Sequence, residues 1–252
     1  MSTIAIITAR GGSKRIPKKN IRVFCGKPII AYSIEAALQS KLFDTVMVST
    51  DSQEIAGIAK EYGAEVPFMR SEVTSGDYAD TSDVLIEVLN EYRKQGQIYD
   101  AFCCLYPTAP FITSEKLRKS YDMLKADDVY NVIPMVAFSF PPQRGMIKDG
   151  KYVKAAYPEY MEMRSQDLKE VIHDCGQFYW CKTREFLNNP NFLCNHTIPF
   201  MVPETEVQDI DSESDWNMAK IKYKAMGGYR SLIFFITEHN FSSIARSERR
   251  AA

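Results

Sequence analysis

The chain has 252 residues, and its 31 lysines and arginines against 32 aspartates and glutamates leave a formal net charge of -1. Hydrophobic residues make up 45% and charged residues 25%, the composition of an ordinary soluble globular protein with one α/β domain or two small ones. A net charge near zero excludes nucleic-acid binding driven by bulk charge, and no apolar run approaches the roughly 18 residues of a membrane-spanning helix.

Short apolar runs and amphipathic segments alternate through the first half of the chain. The apolar runs predict strands at residues 3–8, 44–49, 65–68 and 100–105. The helical periodicity predicts helices at 28–41 with Pro28 in the first turn, at 52–62 ended by Gly63, at 81–94, and after a Thr113 cap. This alternation is typical of a mainly parallel sheet covered on both faces by helices, in which ligands bind beyond the carboxyl ends of the strands.

The regular alternation ends near residue 129. Short extended segments rich in proline follow, and we interpret them as an inserted arm of the same domain. Strands are predicted to return at 176–182 and 197–202, and the capping-box pattern at Ser212 predicts a final helix to about residue 225. The segment 227–252 differs in composition and is interpreted as a docking segment, a disordered end or an extension added for expression.

The cysteines indicate a reducing environment rather than a disulfide framework. The six cysteines form no CxxC pair, and the apolar stretch at residues 4–7 meets Arg10 too soon for a signal peptide, so we expect a cytoplasmic protein with free thiols. A zinc site could be imagined from a loose group, but its spacing matches no usual ligand pattern: His173, Cys175, Cys181, Cys194 and His196.

The strongest functional signal is the stretch ARGGSKRIPKKN at residues 9–20, directly after the first strand. Gly11 and Gly12 allow a tight turn that brings backbone N–H groups close to an anion. The stretch also carries five cations, which would repel one another unless an anion such as a triphosphate lay between them: Arg10, Lys14, Arg15, Lys18 and Lys19. The loop is neither a P-loop nor a dinucleotide fingerprint, and its alternative interpretation is a solvated basic surface loop.

A second polar motif, Asp209-Ile-Asp211, precedes the final helix. On an extended backbone residues two apart face the same side, so Asp209 and Asp211 are predicted to point together. Two neighbouring carboxylates suit a magnesium ion that substrate phosphates also hold. The alternative is that Asp211 or Ser212 caps the final helix while Asp209 is a surface residue.

These motifs together resemble the N-acylneuraminate cytidylyltransferase family, whose members activate nine-carbon keto-sugar acids. Besides residues 9–20 and 209–211, the resemblance rests on VSTD at 48–51, FMR at 68–70 and LYPTAP at 105–110, in that order. It extends over residues 3–226 and implies a Rossmann-like nucleotidyltransferase fold in one domain, residues 1–226. It also implies a homodimer built through the arm, about residues 136–172, although the arm could instead pack over its own active site.

The resemblance implies that CTP and a sugar acid are converted to a CMP-sugar and pyrophosphate with Mg²⁺ as cofactor. It assigns Arg10 and Lys19 to the triphosphate and Asp209 and Asp211 to the metal. Further nucleotide contacts are implied for Ala9, Gly11, Gly12, Ser13, Asn20 and Arg70, and for the loop from Ser75 to Ser82 that would face the cytosine. For Arg70 the alternative is a surface arginine.

Within the family the sequence is most similar to the branch that activates pseudaminic acid. Sialic acid members usually carry glutamine where this chain has Tyr106, and the segments 157–160, 164–167 and 173–180 also resemble the pseudaminic acid branch. Legionaminate, N-acetylneuraminate and 3-deoxy-manno-octulosonate remain alternative substrates, and a non-catalytic nucleotide-binding module is the alternative outside enzymes. The resemblance implies surface glycan biosynthesis as the pathway.

Six side chains are candidates for binding the sugar acid: Tyr106, Arg164, His173, Gln177, Phe178 and Tyr179. The aromatic residues at 178–180 lie in a predicted strand, where alternate rings usually pack in a core. His173 has the alternative role of a structural, hydrogen-bonded histidine. No residue is identifiable from the sequence as the general base for the sugar hydroxyl.

Overall fold

A mixed sheet of seven strands forms the centre of the molecule in the computed structural model, which describes residues 1–13, 15–76 and 79–227. The strands are β1 (Thr3–Thr8), β2 (Val23–Phe24), β3 (Lys27–Pro28), β4 (Thr45–Ser49), β5 (Ala101–Leu105), β6 (Asn131–Ala137), β7 (Met146–Asp149), β8 (Tyr152–Ala155), β9 (Ile172–Asp174), β10 (Phe178–Lys182) and β11 (Thr197–Met201). The helices are α1 (Ile30–Ser40), α2 (Gln53–Glu61), α3 (Glu72–Ser75), α4 (Thr81–Lys94), α5 (Ser114–Leu124), α6 (Thr183–Asn188) and α7, residues 213–227. The predicted segment 227–252 lies outside the described residues from 228 onward.

The central sheet has the order β11-β6-β10-β5-β1-β4, and β9 pairs with β6. β1 runs parallel to β4 and β5, and β11 runs parallel to β6. β10 is antiparallel to both β5 and β6, which breaks the parallel order in the middle of the sheet. The strands that follow one another in the first half therefore end at the same edge, and β10 reaches that edge from the opposite direction.

Helices cover both faces because the strands are apolar on both sides. Along β1, Ala5 and Ile7 pack towards α1, α2 and α5, whereas Ile4 and Ile6 pack towards α4 and α6. Burial of each isoleucine side chain contributes about 1.5–3 kcal/mol to folding. The predicted α/β class with a mainly parallel sheet is confirmed.

Several predicted boundaries agree with the structure, and two do not. The helix predicted at 81–94 has those bounds, Thr113 accepts a hydrogen bond from the Lys116 N–H as the predicted cap, and Gly63 follows α2 with φ of +91°. The strand predicted at 65–68 was wrong: only Glu65 bridges to β4, since Pro67 has no N–H to donate. The prediction that Pro28 lies in the first turn of a helix was also wrong, because Pro28 pairs with Val23 in a small hairpin before α1.

The cysteines of the described chain are free, and four of the six are buried. Burial raises the pKa of the Cys104 thiol to about 12, so this thiol stays protonated within the sheet. Among the described residues no group of three or more His, Cys, Asp or Glu side chains is arranged to hold a metal ion. The two histidines of the imagined zinc site pack against aromatic rings instead: His196 stacks on Tyr130, and the ring of His173 is tilted against that of Phe138.

The predicted arm leaves the sheet after β6 and returns through β9. Its hairpin, β7 with β8, is a separate two-stranded sheet. No helix within the described residues is both long and apolar enough to cross a membrane.

Candidate active site

A cavity of about 670 Å³ opens where β1 and β5 end. Thr8 and Tyr106 mark the ends of β1 and β5 in its wall. Its volume lies within the range of roughly 300–1,000 Å³ that is typical of small-molecule sites. Of the side chains predicted from the sequence, six line this cavity: Arg10, Ser13, Lys19, Asn20, Arg70 and Tyr106.

The loop at residues 9–20 is held in shape from both sides. The Asn20 side chain is buried and donates from Nδ2 to the Arg10 carbonyl at 2.8 Å, which closes the loop. The Gly11 N–H donates to Asp51 Oδ1 at 2.7 Å, so this N–H is already used by a carboxylate of the protein. A Cβ on Gly11 would lie 3.2 Å from Ser52 Cβ, whereas Gly12 has open space around it. Asp51 is thus a loop anchor that the sequence reasoning did not identify.

Lys19 connects this loop to the Asp209-Ile-Asp211 motif, almost two hundred residues away. Its Nζ donates to the Ile210 carbonyl at 2.8 Å and lies 3.5 Å from Asp211 Oδ1. Arg15 forms a second ion pair with Asp211 at 2.9 Å. The two polar motifs identified separately in the sequence therefore meet beside Arg15 and Lys19, which line the cavity, whereas Asp209 and Asp211 are not among the described residues in its wall.

A small apolar cluster explains why the two motifs meet. Ile16 lies among the cations of the first motif and Ile210 between the two aspartates of the second, and both are buried in one cluster. Trp216 of α7 and Phe24 of the small hairpin complete that cluster, with ring centroids 5.5 Å apart. In the sequence, the sign that the two polar motifs pack together was the single isoleucine within each of them, Ile16 and Ile210.

The carboxylates of Asp209 and Asp211 are not used to cap α7. The Ser212 hydroxyl accepts from the Asp215 N–H at 3.3 Å, and Asp215 Oδ2 accepts from the Ser212 N–H at 2.8 Å, a reciprocal capping box. Burial, and after it the charge of neighbouring Asp211, raises the pKa of Asp209, while Lys19 opposes this shift. The Asp209 carboxylate is therefore close enough to Asp211 to feel its charge, whereas the Asp211 carboxylate itself is held by Arg15 and Lys19.

Arg70 is a buried arginine in the cavity wall, with 8% of its surface exposed. Its guanidinium donates from Nε to Ser49 Oγ at 3.1 Å and from Nη2 to the Ser49 carbonyl at 2.7 Å. Burial lowers the pKa of Arg70, and the charges of Asp51 and Glu87 oppose that shift. These contacts are inconsistent with the alternative of a surface arginine.

The segment after Arg70 reaches the cavity through neighbours of the predicted serines. Thr74 and Thr81 line the cavity, whereas Ser75 and Ser82 are not among the described residues in its wall. Glu87 of α4 accepts hydrogen bonds from the hydroxyl groups of Ser71 and Thr74 and thereby holds α3 against α4.

The three candidates at residues 177–179 are all buried, and none of them is among the described residues that line the main cavity. Phe178 is fully buried in the core that faces α1, α2 and α5. Gln177 is buried and donates from Nε2 to the Glu206 carbonyl at 2.7 Å, so its side chain supports the segment before Asp209. Tyr179, on the opposite face of the strand from Phe178, packs against Tyr106 with ring centroids 5.3 Å apart.

Two remaining candidates lie outside the main cavity. Arg164 belongs to the arm, where it is exposed and pairs with Asp167 at 2.7 Å. His173 lies on β9 and lines a smaller cavity of about 220 Å³ that also contains Asp209 and Lys222. The structure thus places His173 near the aspartate motif, and Arg164 lines neither of these two cavities.

Residues 4–173 match the family model described as "Cytidylyltransferase". A pseudaminic acid cytidylyltransferase of Campylobacter jejuni is 40% identical over 225 residues, which cover 89% of this chain and 97% of the relative. A CMP-N,N'-diacetyllegionaminic acid synthase of Legionella pneumophila is 33% identical and covers 87% of this chain, with 95% of the relative covered.

A solved structure supports the fold. The CTP complex of a CMP:2-keto-3-deoxy-manno-octonic acid synthetase aligns with 90% of this chain and 100% of its own, with a TM-score of 0.65 at 18% identity. At that level of identity the likeness concerns the fold, and it agrees with the nucleotidyltransferase architecture expected from the sequence.

Proposed function

The chain belongs to the cytidylyltransferase family, and on that premise we propose that it transfers CMP from CTP to the anomeric hydroxyl of pseudaminic acid. The choice of sugar acid rests on the higher identity to the pseudaminic acid enzyme than to the legionaminic acid enzyme, 40% against 33%. Tyr106 in the cavity wall, where sialic acid members usually carry glutamine, favours the same choice.

The observation that carries this proposal is the arrangement of charge around the main cavity. Cations of the loop, Arg10 and Lys19, line it near the paired carboxylates of Asp209 and Asp211, and buried Arg70 lies in its wall. A nucleoside triphosphate with a bound divalent cation has the matching distribution of charge. If the loop were only a solvated basic surface loop, its shape would not depend on the burial of Ile16 or on the bond from Lys19 to the distant Ile210 carbonyl.

In the proposed reaction the sugar hydroxyl oxygen forms a bond to the α-phosphorus of CTP. The bond from that phosphorus to the bridging oxygen of pyrophosphate breaks, pyrophosphate leaves, and the hydroxyl gives up its proton. Negative charge develops on the phosphoryl oxygens and on the leaving group, so catalysis depends on positioning and on cations already in place. We assign the stabilisation of that negative charge to Arg10 and Lys19, with Ser13 beside them.

The nucleotide itself is proposed to lie between the loop and the α3–α4 segment. Asn20 and the backbone of Ala9, Gly11 and Gly12 shape the phosphate side, although the Gly11 N–H is engaged by Asp51. On the base side Arg70 faces Thr74 and Thr81. Ser75 is the last residue of α3 and Ser82 lies in the first turn of α4, so they would act there through their neighbours Thr74 and Thr81.

The residues present fit a magnesium ion. Asp209 and Asp211 supply two carboxylates, and burial followed by the charge of Asp211 raises the pKa of Asp209. Magnesium is usually held by one or two carboxylates together with substrate phosphates. Such an ion would neutralise phosphate charge when bound. In the chain itself Lys19 and Arg15 balance the charge of Asp211 and keep its carboxylate at the cavity edge.

We also propose a homodimer formed through the arm at residues 136–172. Large apolar side chains of the arm are between 44% and 69% exposed: Phe138, Phe140, Met146, Ile147, Tyr152 and Val153. An apolar surface of this kind is typical of an interaction site.

Because CTP is a metabolite of the cytoplasm, we propose that the enzyme acts in the cytoplasm. We also propose that its product is used in surface-glycan biosynthesis.

The test is a pyrophosphate-release assay with CTP, Mg²⁺ and four sugar acids, namely pseudaminate, legionaminate, N-acetylneuraminate and 3-deoxy-manno-octulosonate. Mass spectrometry identifies each CMP-sugar. Release with pseudaminate alone is the expected result. Release with another acid would retain the chemistry and overturn the substrate, and CTP binding without release from any acid would favour a non-catalytic module.

A further inference from the structure

The smaller cavity, of about 220 Å³, lies at the base of the arm and beside the aspartate motif. Phe138 and Ser139 line it where the arm leaves β6, and His173 of β9 lines it where the arm returns. The segment before α7 contributes Glu204 and Asp209 to the same wall. The small cavity therefore combines an aromatic ring, a hydroxyl group, an imidazole and two carboxylates, none of which the reaction has yet used except Asp209.

The aspartate motif lies between residues that line the two cavities. Asp209 is in the wall of the small cavity. Two residues further on, Asp211 pairs with Arg15, which lines the main cavity. The Ile210 carbonyl between them accepts from Lys19, which also lines the main cavity. Two residues of extended chain span at most about 7 Å, so the two cavities approach each other at this motif.

The hydrogen bond of His173 determines which of its ring nitrogens can take up a proton. Nδ1 lies 2.9 Å from the Asp174 carbonyl oxygen, which can only accept, so Nδ1 carries the proton of the neutral imidazole. Nε2 is then the unprotonated nitrogen, and no described residue donates to it. Pairing of His173 with Val136 between β9 and β6 and contact with the Phe138 ring, at 4.5 Å between centroids, hold the imidazole in place.

We propose that the small cavity receives the reacting end of the sugar acid and that His173 is the general base for its anomeric hydroxyl. This inference rests on the proposed function and deepens it, because the sequence identified no such base. The O–H bond breaks and its proton passes to Nε2, while the oxygen forms the bond to the α-phosphorus of CTP and pyrophosphate leaves. The imidazolium then gives the proton to water, which restores the neutral ring.

The charged groups in the wall of the small cavity suit this step. The carboxylates of Glu204 and Asp209 stabilise an imidazolium at His173, and the charge of Lys222 opposes it. Lys222 Nζ donates to the carbonyl groups of Val207 at 2.7 Å and Glu204 at 3.3 Å, so its charge is fixed beside the cavity. A positive charge held there favours a substrate that carries a carboxylate, as a keto-sugar acid does.

The first test compares His173→Ala with His173→Gln in the pyrophosphate-release assay with pseudaminate. A general base typically contributes about 10²–10⁴-fold to the rate, so kcat should fall by at least about 10²-fold in both variants. KM for CTP should stay unchanged. Glutamine keeps a hydrogen-bond acceptor but does not take up a proton at neutral pH, so His173→Gln should lower kcat without raising KM for pseudaminate. Wild-type kcat in His173→Gln would overturn the proposal.

The second test is chemical rescue of His173→Ala by imidazole. Because His173 is exposed, imidazole from solution can enter the space that the substitution leaves and take the proton instead. The kcat of His173→Ala should rise with imidazole concentration, which a purely structural role of His173 does not predict. A loss of activity that imidazole does not restore would overturn proton transfer by this residue.

His196→Ala is the matched control. Like His173, His196 is exposed, its Nδ1 contacts a backbone carbonyl oxygen, that of Asp128 at 2.8 Å, and its ring packs against an aromatic ring, that of Tyr130. It lines neither the main cavity nor the small one. Its substitution should leave kcat unchanged, and imidazole should have no effect on that variant.

The assays distinguish failure of this inference from failure of the proposed function. If the wild type converts a sugar acid while His173→Ala keeps a kcat within about threefold of it, the proposed function stands and the assignment of His173 is wrong. If the wild type converts none of the four sugar acids, the proposed function is wrong and the assignment of His173 falls with it.

Discussion

Replacing Lys19 by methionine removes the charge that links the phosphate-binding loop to the aspartate motif while it keeps a side chain of similar length. Lys18→Met is the matched control, because Lys18 points away from the cavity and pairs with exposed Glu54 at 2.7 Å. The two variants delete the same charge from adjacent positions. Comparing them therefore separates the effect of losing a positive charge anywhere on this loop from the effect of losing the positive charge that lines the cavity.

The structure sets the expected magnitudes. A hydrogen bond from a charged group to a carbonyl contributes about 1.5–3 kcal/mol, and Lys19 donates one to the carbonyl of buried Ile210. The partly exposed pair with Asp211 adds at most about 1 kcal/mol. Lys19→Met should thus lower the free energy of unfolding by about 2–3 kcal/mol and the Tm by about 4–12 °C. Lys18→Met should change stability by less than about 1 kcal/mol.

The effect on turnover should be larger than the effect on folding. Loss of one pre-positioned group that stabilises developing charge typically lowers kcat by about 10²–10³-fold. Pyrophosphate release is measured at saturating CTP and below the Tm of the variant, so that unfolding does not contribute. A kcat for Lys19→Met within about threefold of the wild type would refute the assignment of Lys19 to the triphosphate.

The other predictions concern the metal, the α3–α4 segment and the arm. Asp211→Asn should raise the Mg²⁺ concentration needed for half-maximal activity or abolish activity, and an unchanged Mg²⁺ titration would contradict the metal assignment. Burial tends to raise the pKa of Glu87, but hydrogen bonds from residues 71–74 outweigh it and hold that pKa below 4.5. Glu87 therefore stabilises the fold above pH 4.5 and loses this contribution as the pH falls through its lowered pKa. The Tm measured as a function of pH should show this loss of stability in the wild type and not in Glu87→Gln. Parallel curves of Tm against pH for the two proteins would disprove the contribution of Glu87. Val153→Glu in the arm should convert a dimer to a monomer by light scattering, whereas Ile98→Glu, at an equally exposed site outside the arm, should not. Dimers of both variants would contradict the arm as the interface.

Local patterns were enough to predict most elements of the fold. The run at residues 3–8 is apolar at its four inner positions, which is the pattern of a strand buried on both faces, and β1 has those bounds. The helix at residues 81–94 was predicted with its bounds, and in the structure Asp80 and Asp83 form a capping box at its start. The strand predicted at 65–68 does not form, because Pro67 has no backbone N–H to donate to a neighbouring strand.

Which face of a strand a residue occupies was harder to predict, because it depends on what covers each face. Phe178 and Tyr179 are adjacent aromatic residues of one apolar run, and nothing in that run separates their roles. Because side chains alternate along a strand, one enters the core beneath α1, α2 and α5 and the other reaches Tyr106. Gln177, also a candidate for the sugar acid, is used instead to hold the backbone at Glu206.

The sequence by itself determined the α/β class, most element boundaries and the two polar motifs, because propensity, capping and hydrophobic periodicity act over a few residues. Only the tertiary structure decided that these motifs share one cavity edge. Ile16 and Ile210 are buried in the same cluster, and their burial brings Lys19 to the Ile210 carbonyl and Asp211. Only the tertiary structure decided, likewise, that the Gly11 N–H donates to Asp51 and that the Tyr179 hydroxyl donates to Asp174. Such contacts join residues far apart in the chain, and packing of the whole core selects them.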